Sequence, residues 1–164
     1  MSTRPSPSCS SGWNLKGCIV TIDAMGCQKV IAERIVAKGA DSVLAVKENQ
    51  PHRHEAIHDS FQTAKVAQFQ HVPASCCEHL DAGHGCYEVR RSWLVNDLST
   101  LPNPHTWVNL RRIGMLESEC HHGEQISHEC RYYITALEGE EVQALRKRRA
   151  WPTGGGLRIG STGS

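Results

Sequence analysis

Several features that would mark a protein class are missing from this sequence. No apolar run approaches the roughly 20 residues that a membrane-spanning helix requires, and the start, MSTRPSPSCSSG, includes no apolar signal-peptide region. None of the eight cysteines belongs to a CxxC pair, so the most specific zinc and redox patterns are excluded. We therefore expect a cytoplasmic protein whose thiols are free or metal-bound.

An excess of charge of one sign is also missing. The chain of 164 residues has 18 Lys and Arg against 17 Asp and Glu, which gives a net charge of +1. This balance excludes a basic coat for nucleic acid and a polyacidic tail as descriptions of the whole chain. Val, Ile, Leu and Phe make up about a fifth of the residues, near the lower limit for a folded core.

The composition divides the chain into three parts. Residues 1–14 form a tail rich in Ser and Pro, and residues 141–164 form a basic and Gly-rich tail. Because neither tail has enough apolar surface to offset the entropy cost of ordering, we expect both to be disordered. The apolar runs lie in residues 15–140, which should form the folded part.

The first apolar segment predicts a strand-helix-strand unit in residues 17–47. The run CIVTI is apolar on both faces, as in a buried parallel strand, and residues 42–47 form a second such run. Residues 28–38 have apolar side chains at helical intervals, and Gly39 is a plausible stop. The residues expected to be buried are Ile19, Val20, Ile22, Ile31, Ile35, Leu44 and Val46.

The second half of the folded part is richer in β-forming residues. A polar helix is predicted over residues 52–65, and three β-forming stretches follow at residues 87–95, 106–116 and 126–137. The pair His122-Gly123 indicates a turn between the last two. The pattern predicts a mixed α/β core with a β-rich extension.

Asp23 is the first candidate functional residue. It follows the first predicted strand, at the edge where parallel sheets place their sites, and its carboxylate suits Mg²⁺. An N-cap of the following helix explains the same position equally well.

Cysteine and histidine clusters are the second candidate. Cys77, His79, His84 and Cys86 are of the types that bind Zn²⁺, although their spacing matches no usual zinc motif. The alternative is that they are histidines and free cysteines in exposed loops.

The stretch LKGCIVTIDAMGCQK at residues 15–29 closely resembles insertion-sequence transposases of the family that includes the H-repeat-associated proteins, a branch of the DDE transposases. The resemblance continues through LAVK at residues 44–47 and NQ at residues 49–50. It resumes at HG in residues 84–85, IGMLESE in residues 113–119 and RYYIT in residues 131–135. It implies an α/β fold with a partial ribonuclease H-like core and a β-rich insertion within a catalytic domain over residues 15–140.

The resemblance also implies two-metal phosphoryl transfer on the DNA ends of an insertion sequence, with Mg²⁺ or Mn²⁺ held by three carboxylates. One of those carboxylates maps onto Asp23, which is then both a catalytic residue and a metal ligand. The positions implied to contact DNA are Lys47, Asn49, Gln50, His84, Arg90 and Arg131. Cys86 stands where the family has an arginine.

Two of the three expected carboxylates have no counterpart. Residues 1–14 and 142–164 contain no Asp or Glu, so we expect a truncated and catalytically inactive transposase remnant, with the first strand unpaired on one flank. The alternatives are a DNA-binding or oligomerising modulator of a full-length transposase, and a zinc-binding module.

Overall fold

The strands and helices follow one another in the order that the apolar pattern predicts, with two additional strands. A computed structural model describes residues 15–22, 29–48, 50–70, 74–83, 85–137 and 158–161. The helices are α1 (Lys29–Ala37) and α2 (Pro51–Val66). The strands are β1 (Cys18–Ile22), β2 (Asp41–Val46), β3 (Ala74–Gly83), β4 (Cys86–Val95), β5 (Arg112–His122), β6 (Gln125–Thr135) and β7 (Arg158–Ser161).

All seven strands belong to one sheet with the order β3-β4-β5-β6-β2-β1-β7. Strands β1 and β2 are parallel, with Ile22 opposite Leu44, and every other neighbouring pair is antiparallel. The turn between β5 and β6 contains Gly123, whose φ of 61° is a left-handed conformation that glycine adopts without strain. The mixed α/β class expected from the sequence is therefore confirmed.

The strand-helix-strand unit is also confirmed. Strands β1 and β2 are β-branched and apolar on both faces, and helix α1 connects them in the way that parallel strands require. Five of the seven residues expected to be buried are buried. Ile22 and Ile31 are only partly buried and pack at the margin of a small cluster around Val20 and Ile35.

Helix α2 covers one face of the sheet. Its side chains Ile57 and Phe61 are fully buried and belong to a core cluster with Trp93, Met115 and Tyr132 from β4, β5 and β6. This burial of apolar area is the main contribution to the packing of a helix whose intrinsic sequence is polar.

Tyr132 is the central contact of that interface. Its ring meets the rings of His54 and His58 edge-on, at centroid distances of 5.0 and 6.0 Å, and stacks on Phe61 at 6.3 Å. Burial raises the pKa of the Tyr132 phenol far above its ordinary value. The next residue, Tyr133, points to the opposite face and is fully buried in a second cluster with Leu94 and Leu116.

The ends of β3 to β6 that point away from the two helices extend beyond the core. We call residues 76–83, 85–91 and 117–131 the distal sheet. Apart from Val89, none of its described side chains is buried, whereas β4, β5 and β6 are buried continuously at their other ends. The distal sheet is therefore a projecting surface with both faces accessible.

Three expectations from the sequence are wrong. Residues 74–83, which the alternative to zinc binding assigned to an exposed loop, are strand β3 and pair with β4 along their whole length. The strand expected from residue 106 begins only at Arg112, because a 3₁₀ helix at Pro104–Thr106 and a turn precede it. Strand β7 lies in the expected C-terminal tail and pairs with β1, so the expected unpaired flank of β1 is occupied. The remaining residues of both tails lie outside the described residues.

In the part of the chain that the structure describes, no helix is long and apolar enough to span a membrane.

The α2 interface gives a direct test of the core. Replacing Phe61 by Ala should lower the free energy of unfolding by about 3 to 5 kcal/mol, because it removes a fully buried ring and leaves a cavity. Val66→Ala on the same helix, where the side chain is 87% exposed, should change it by about 0.5 kcal/mol or less. Urea unfolding of both variants measures the difference, and equal effects would contradict this packing.

Candidate nucleic-acid interface

The parallel pairing of β1 and β2 brings their C-terminal ends to one edge of the sheet. Asp23 is the next residue in sequence after Ile22, the end of β1, and lies outside the described residues. Lys47 follows Val46, the end of β2, and is exposed. Two of the residues expected from the sequence to act on DNA thus come directly after neighbouring parallel strands, at the edge where such sheets carry ligand sites.

Arg131 lies beside this edge because β6 runs antiparallel to β2. Val46 is opposite Tyr132, so Arg131 lies level with Lys47 on the neighbouring strand. The Arg131 guanidinium is paired with Glu129: its Nε and its Nη2 each lie 2.7 Å from Oε1 of the carboxylate. The Arg131 side chain is 25% exposed. The two cations are therefore adjacent in the sheet, and Glu129 limits the net charge of the pair.

Arg90 lies two strands further along. It is opposite Ser118, which is opposite Glu129, so strand alternation places Arg90 on the face that carries Arg131. Its Nε and Nη2 donate to the two carboxylate oxygens of Glu88, each at 2.8 Å. This hydrogen bonding raises the pKa of the Arg90 guanidinium, and the charge of Arg131 acts in the opposite direction.

The remaining residues expected to contact DNA are not brought into this group. Gln50 precedes α2 and its side-chain oxygen accepts a hydrogen bond from Arg53. Asn49 and His84 lie outside the described residues. The register thus places Arg131 and Arg90 on one face of the sheet, and Lys47 directly follows the strand that pairs beside Arg131.

A network of ion pairs on the opposite face of the distal sheet was not found from the sequence. Glu119 accepts a hydrogen bond from Nε2 of His121 at 2.5 Å, and its other oxygen is 3.7 Å from Nδ1 of His128 and 3.9 Å from Nη1 of Arg91. Arg91 also donates to Glu78 at 2.7 Å. A cleft of about 350 Å³ lies between these strands. The sequence feature that could have indicated this network is the alternation of charged residues in β5.

The network extends to helix α2 through Lys65. The Lys65 ammonium group pairs with Glu117 and lies 5.3 Å from the centroid of the Trp93 ring. Because the side chains of the pair are about 30% exposed, the pair orients the helix end more than it stabilises it.

The expectation of free or metal-bound thiols is wrong for one pair of cysteines. Cys86 and Cys120 form a disulfide across β4 and β5, with their Cα atoms 6.7 Å apart. Cys18 and Cys130 are free thiols, and Cys76 is an exposed cysteine outside this disulfide. Residues 86 and 120 are diagonal neighbours on one face, which follows from Glu88 being opposite Cys120.

The zinc set expected from the sequence is not assembled by the described residues. Cys86 is in the disulfide and is not available as a thiolate, and His79 is exposed on β3. His84 and the side chain of Cys77 lie outside the described residues, so this set stays a prediction. Within the described ranges, no three His, Cys, Asp or Glu side chains form a group that could hold a metal ion.

The chain is similar in sequence to several known bacterial proteins. An uncharacterized protein in the dhlA 3′ region of Xanthobacter autotrophicus is 35% identical over 130 residues, or 79% of this chain and 43% of that protein. Putative transposase YncI of Escherichia coli O157:H7 is 34% identical over 141 residues, or 84% of this chain and 35% of the relative. H repeat-associated putative transposase YhhI of Escherichia coli K12 is 38% identical over 77 residues, or 47% of this chain and 20% of the relative.

These similarities cover only part of the relatives. The chain spans less than half of the length of each of them. No family profile matches the chain, and no solved structure matches it.

The hydrogen bond between His121 and Glu119 predicts a pH dependence. It lowers the pKa of the Glu119 carboxyl. A carboxyl with a lowered folded-state pKa contributes stability above its unfolded value and loses it as the pH falls through the folded value. NMR titration should therefore show that Glu119 ionises below the ordinary pKa of a glutamate side chain and that His121→Ala moves its midpoint upward. His105→Ala, in the 3₁₀ helix that precedes β5, should leave the midpoint unchanged.

The disulfide predicts a pattern of chemical labelling. Alkylation of the folded chain without reductant should modify the exposed Cys76 and leave Cys86 and Cys120 unmodified. After reduction, or in Cys120→Ser without reduction, Cys86 should become modified. Mass spectrometry of the peptides measures this, and labelling of Cys86 before any reductant is added would contradict the pairing.

Proposed function

Because this chain is homologous to putative transposases of the H repeat-associated family, we propose that it has a transposition-related function and binds the DNA ends of an insertion sequence. The homology covers a minor part of each relative, so the activity and partners of the whole proteins come to this chain only as part of the proposal. A full-length transposase is the protein partner that this proposal favours.

We propose that β1, α1 and β2 belong to a ribonuclease H-like core and that the distal sheet is the insertion expected from the family. Two observations support this. Strands β1 and β2 are the only parallel pair among the described strands, and the four-stranded meander β3 to β6 follows them in sequence. Strand β6 then returns to pair with β2, so the meander is joined to the parallel pair by one continuous sheet.

The observation that carries the site is the position of three residues relative to the strand ends. Asp23 follows β1, Lys47 follows β2, and Arg131 lies level with Lys47 on β6. In the proposed complex, Lys47 meets a backbone phosphate as a point charge, while Arg131 and Arg90 present planar donors held by Glu129 and Glu88. The further DNA contacts proposed are Asn49, Gln50 and His84.

The metal chemistry of the family does not fit the described residues. When bound, two Mg²⁺ or Mn²⁺ ions about 4 Å apart would activate the attacking oxygen and stabilise the leaving oxygen, which requires several carboxylates. The described side chains at this edge are Lys47, Glu48, Gln50 and Arg131, so they include one carboxylate. Within the described ranges no group of three metal-ligating residues occurs. No step of the proposed function is therefore derived through a metal.

We propose in consequence that residues 1–164 bind DNA without cutting it. Asp23 is the one position that matches a family carboxylate, and one carboxylate is not enough to position two cations. Asp23 remains the residue to which catalytic and metal-binding roles would be assigned if cleavage were observed.

DNA binding is tested by fluorescence anisotropy with a labelled duplex over a range of salt concentrations. Lys47→Gln and Arg131→Gln should each weaken binding, and Lys47→Gln should lower the salt slope by about 1 because one phosphate contact is lost. Lys38→Gln is the matched control, since Lys38 follows α1 and lies away from the C-terminal ends of β1 and β2. Equal affinity for all the variants would refute the assigned surface.

Cleavage is tested in the same preparation. Supercoiled plasmid carrying the element's ends should stay intact with Mg²⁺ or Mn²⁺. Nicking that disappears in Asp23→Asn while DNA binding is retained would overturn the proposed inactivity. Nicking that is unchanged in Asp23→Asn would indicate a contaminating nuclease.

A further inference from the structure

A second site lies where β4 ends and β5 begins. A cavity of about 520 Å³ opens between the segment after Val95 and the start of β5. Its polar lining consists of Asn96, His105, Trp107, Asn109, Arg111 and Arg112. All six side chains can donate hydrogen bonds, and none of the residues that line the cavity is a carboxylate. A cavity lined in this way is suited to an anion.

The charge of Arg112 is not balanced within the described part of the chain. Its side chain is half-buried, and no described carboxylate lies within ion-pairing distance of it. Arginine side chains are mostly exposed, and they are almost never fully buried unless they are paired. Asp97 lies between the lining residues Asn96 and Leu98 and is occupied by Ser99, whose backbone N–H donates to its Oδ1 at 2.9 Å. The hydrogen bonds from Ser99 lower the pKa of Asp97.

Trp107 supplies an independent observation. The residue is 5% exposed, and its indole Nε1–H has no acceptor among the described residues. A buried donor without an acceptor destabilises the fold and needs an explanation. The guanidinium of Arg53 lies 4.4 Å from the centroid of the same ring, so the face of the indole is already occupied by a cation.

We propose that this cavity binds a phosphate group. Arg112 would provide the planar, bidentate donors that match phosphate geometry. The Trp107 N–H is buried, so the indole would have to shift toward the cavity to donate to a bound oxygen. His105, Asn96 and Asn109 surround the anion with further donors. The site lies at the opposite end of β5 from the distal sheet and shares no residue with the DNA surface, so it does not depend on the proposed function.

The phosphate group has two sources with the same chemistry: the backbone of bound DNA and a free phosphate. Isothermal titration of the full chain with inorganic phosphate, at constant ionic strength and with chloride as the reference anion, measures the site itself. Arg112→Gln should weaken phosphate binding at least ten-fold. Arg34→Gln, an exposed arginine on α1, should bind as the unmodified chain does.

Trp107→Phe separates binding from folding. It keeps an aromatic ring in the core beside Arg53. It removes the indole nitrogen together with one ring of the bicyclic side chain. Because Nε1–H has no acceptor in the described structure, no hydrogen bond is lost, yet phosphate affinity should fall. A urea unfolding curve for each variant verifies that the chain is folded.

Competition with the labelled duplex identifies the source. If phosphate displaces DNA and Arg112→Gln weakens DNA binding, the group is a DNA phosphate. If phosphate binding depends on Arg112 and Arg112→Gln leaves DNA binding unchanged, the ligand is a free phosphate. A loss of DNA binding in Lys47→Gln tests the proposed DNA surface and has no bearing on this cavity. Absence of saturable phosphate binding, or equal binding by Arg112→Gln and Arg34→Gln, would overturn the proposal.

Discussion

The parallel pairing of β1 with β2 is the constraint on which the rest of the structure depends. Two parallel neighbours require a crossover connection, which α1 provides, and their carboxyl ends then lie at one edge of the sheet. Once β6 pairs with β2 at Val46 and Tyr132, the position of every residue in the meander follows from register. The proposed DNA surface is therefore set by backbone pairing and depends little on individual side-chain contacts.

Strand alternation divides the work of the sheet between its two faces. Tyr132 packs under α2 and Tyr133 packs in the second cluster, so adjacent residues of β6 belong to different cores. In the distal sheet the same alternation separates the Arg90 and Arg131 face from the Glu119 network. One face carries the two arginines, each paired with a glutamate. On the other face, the ion pairs of Glu119 join β4, β5 and β6. These functions do not compete for the same surface.

The sequence was sufficient to predict the parts of the fold that have strong periodic patterns. Strands β1 and β2 are continuous apolar runs, and α1 and α2 have helical spacing. Strand β3 has no such pattern, because ASCCEHLDAG is an edge strand whose described side chains are largely exposed. The disulfide could not be predicted because it depends on the register that places Cys120 diagonally from Cys86. The phosphate cavity also depends on the late start of β5, which leaves residues 104–111 to form its wall.

The pairing of β7 with β1 has a consequence for the order of folding. It joins Cys18 to Ser161, which are 143 positions apart in the sequence, whereas β3 to β6 pair with sequence neighbours. Closing a long loop costs more entropy than closing a hairpin, and contacts between distant residues form more slowly. The meander is thus the fast-forming part of the molecule, and β7 completes the sheet last. During synthesis, β1 emerges early, and its second neighbour follows only with residues 158–161.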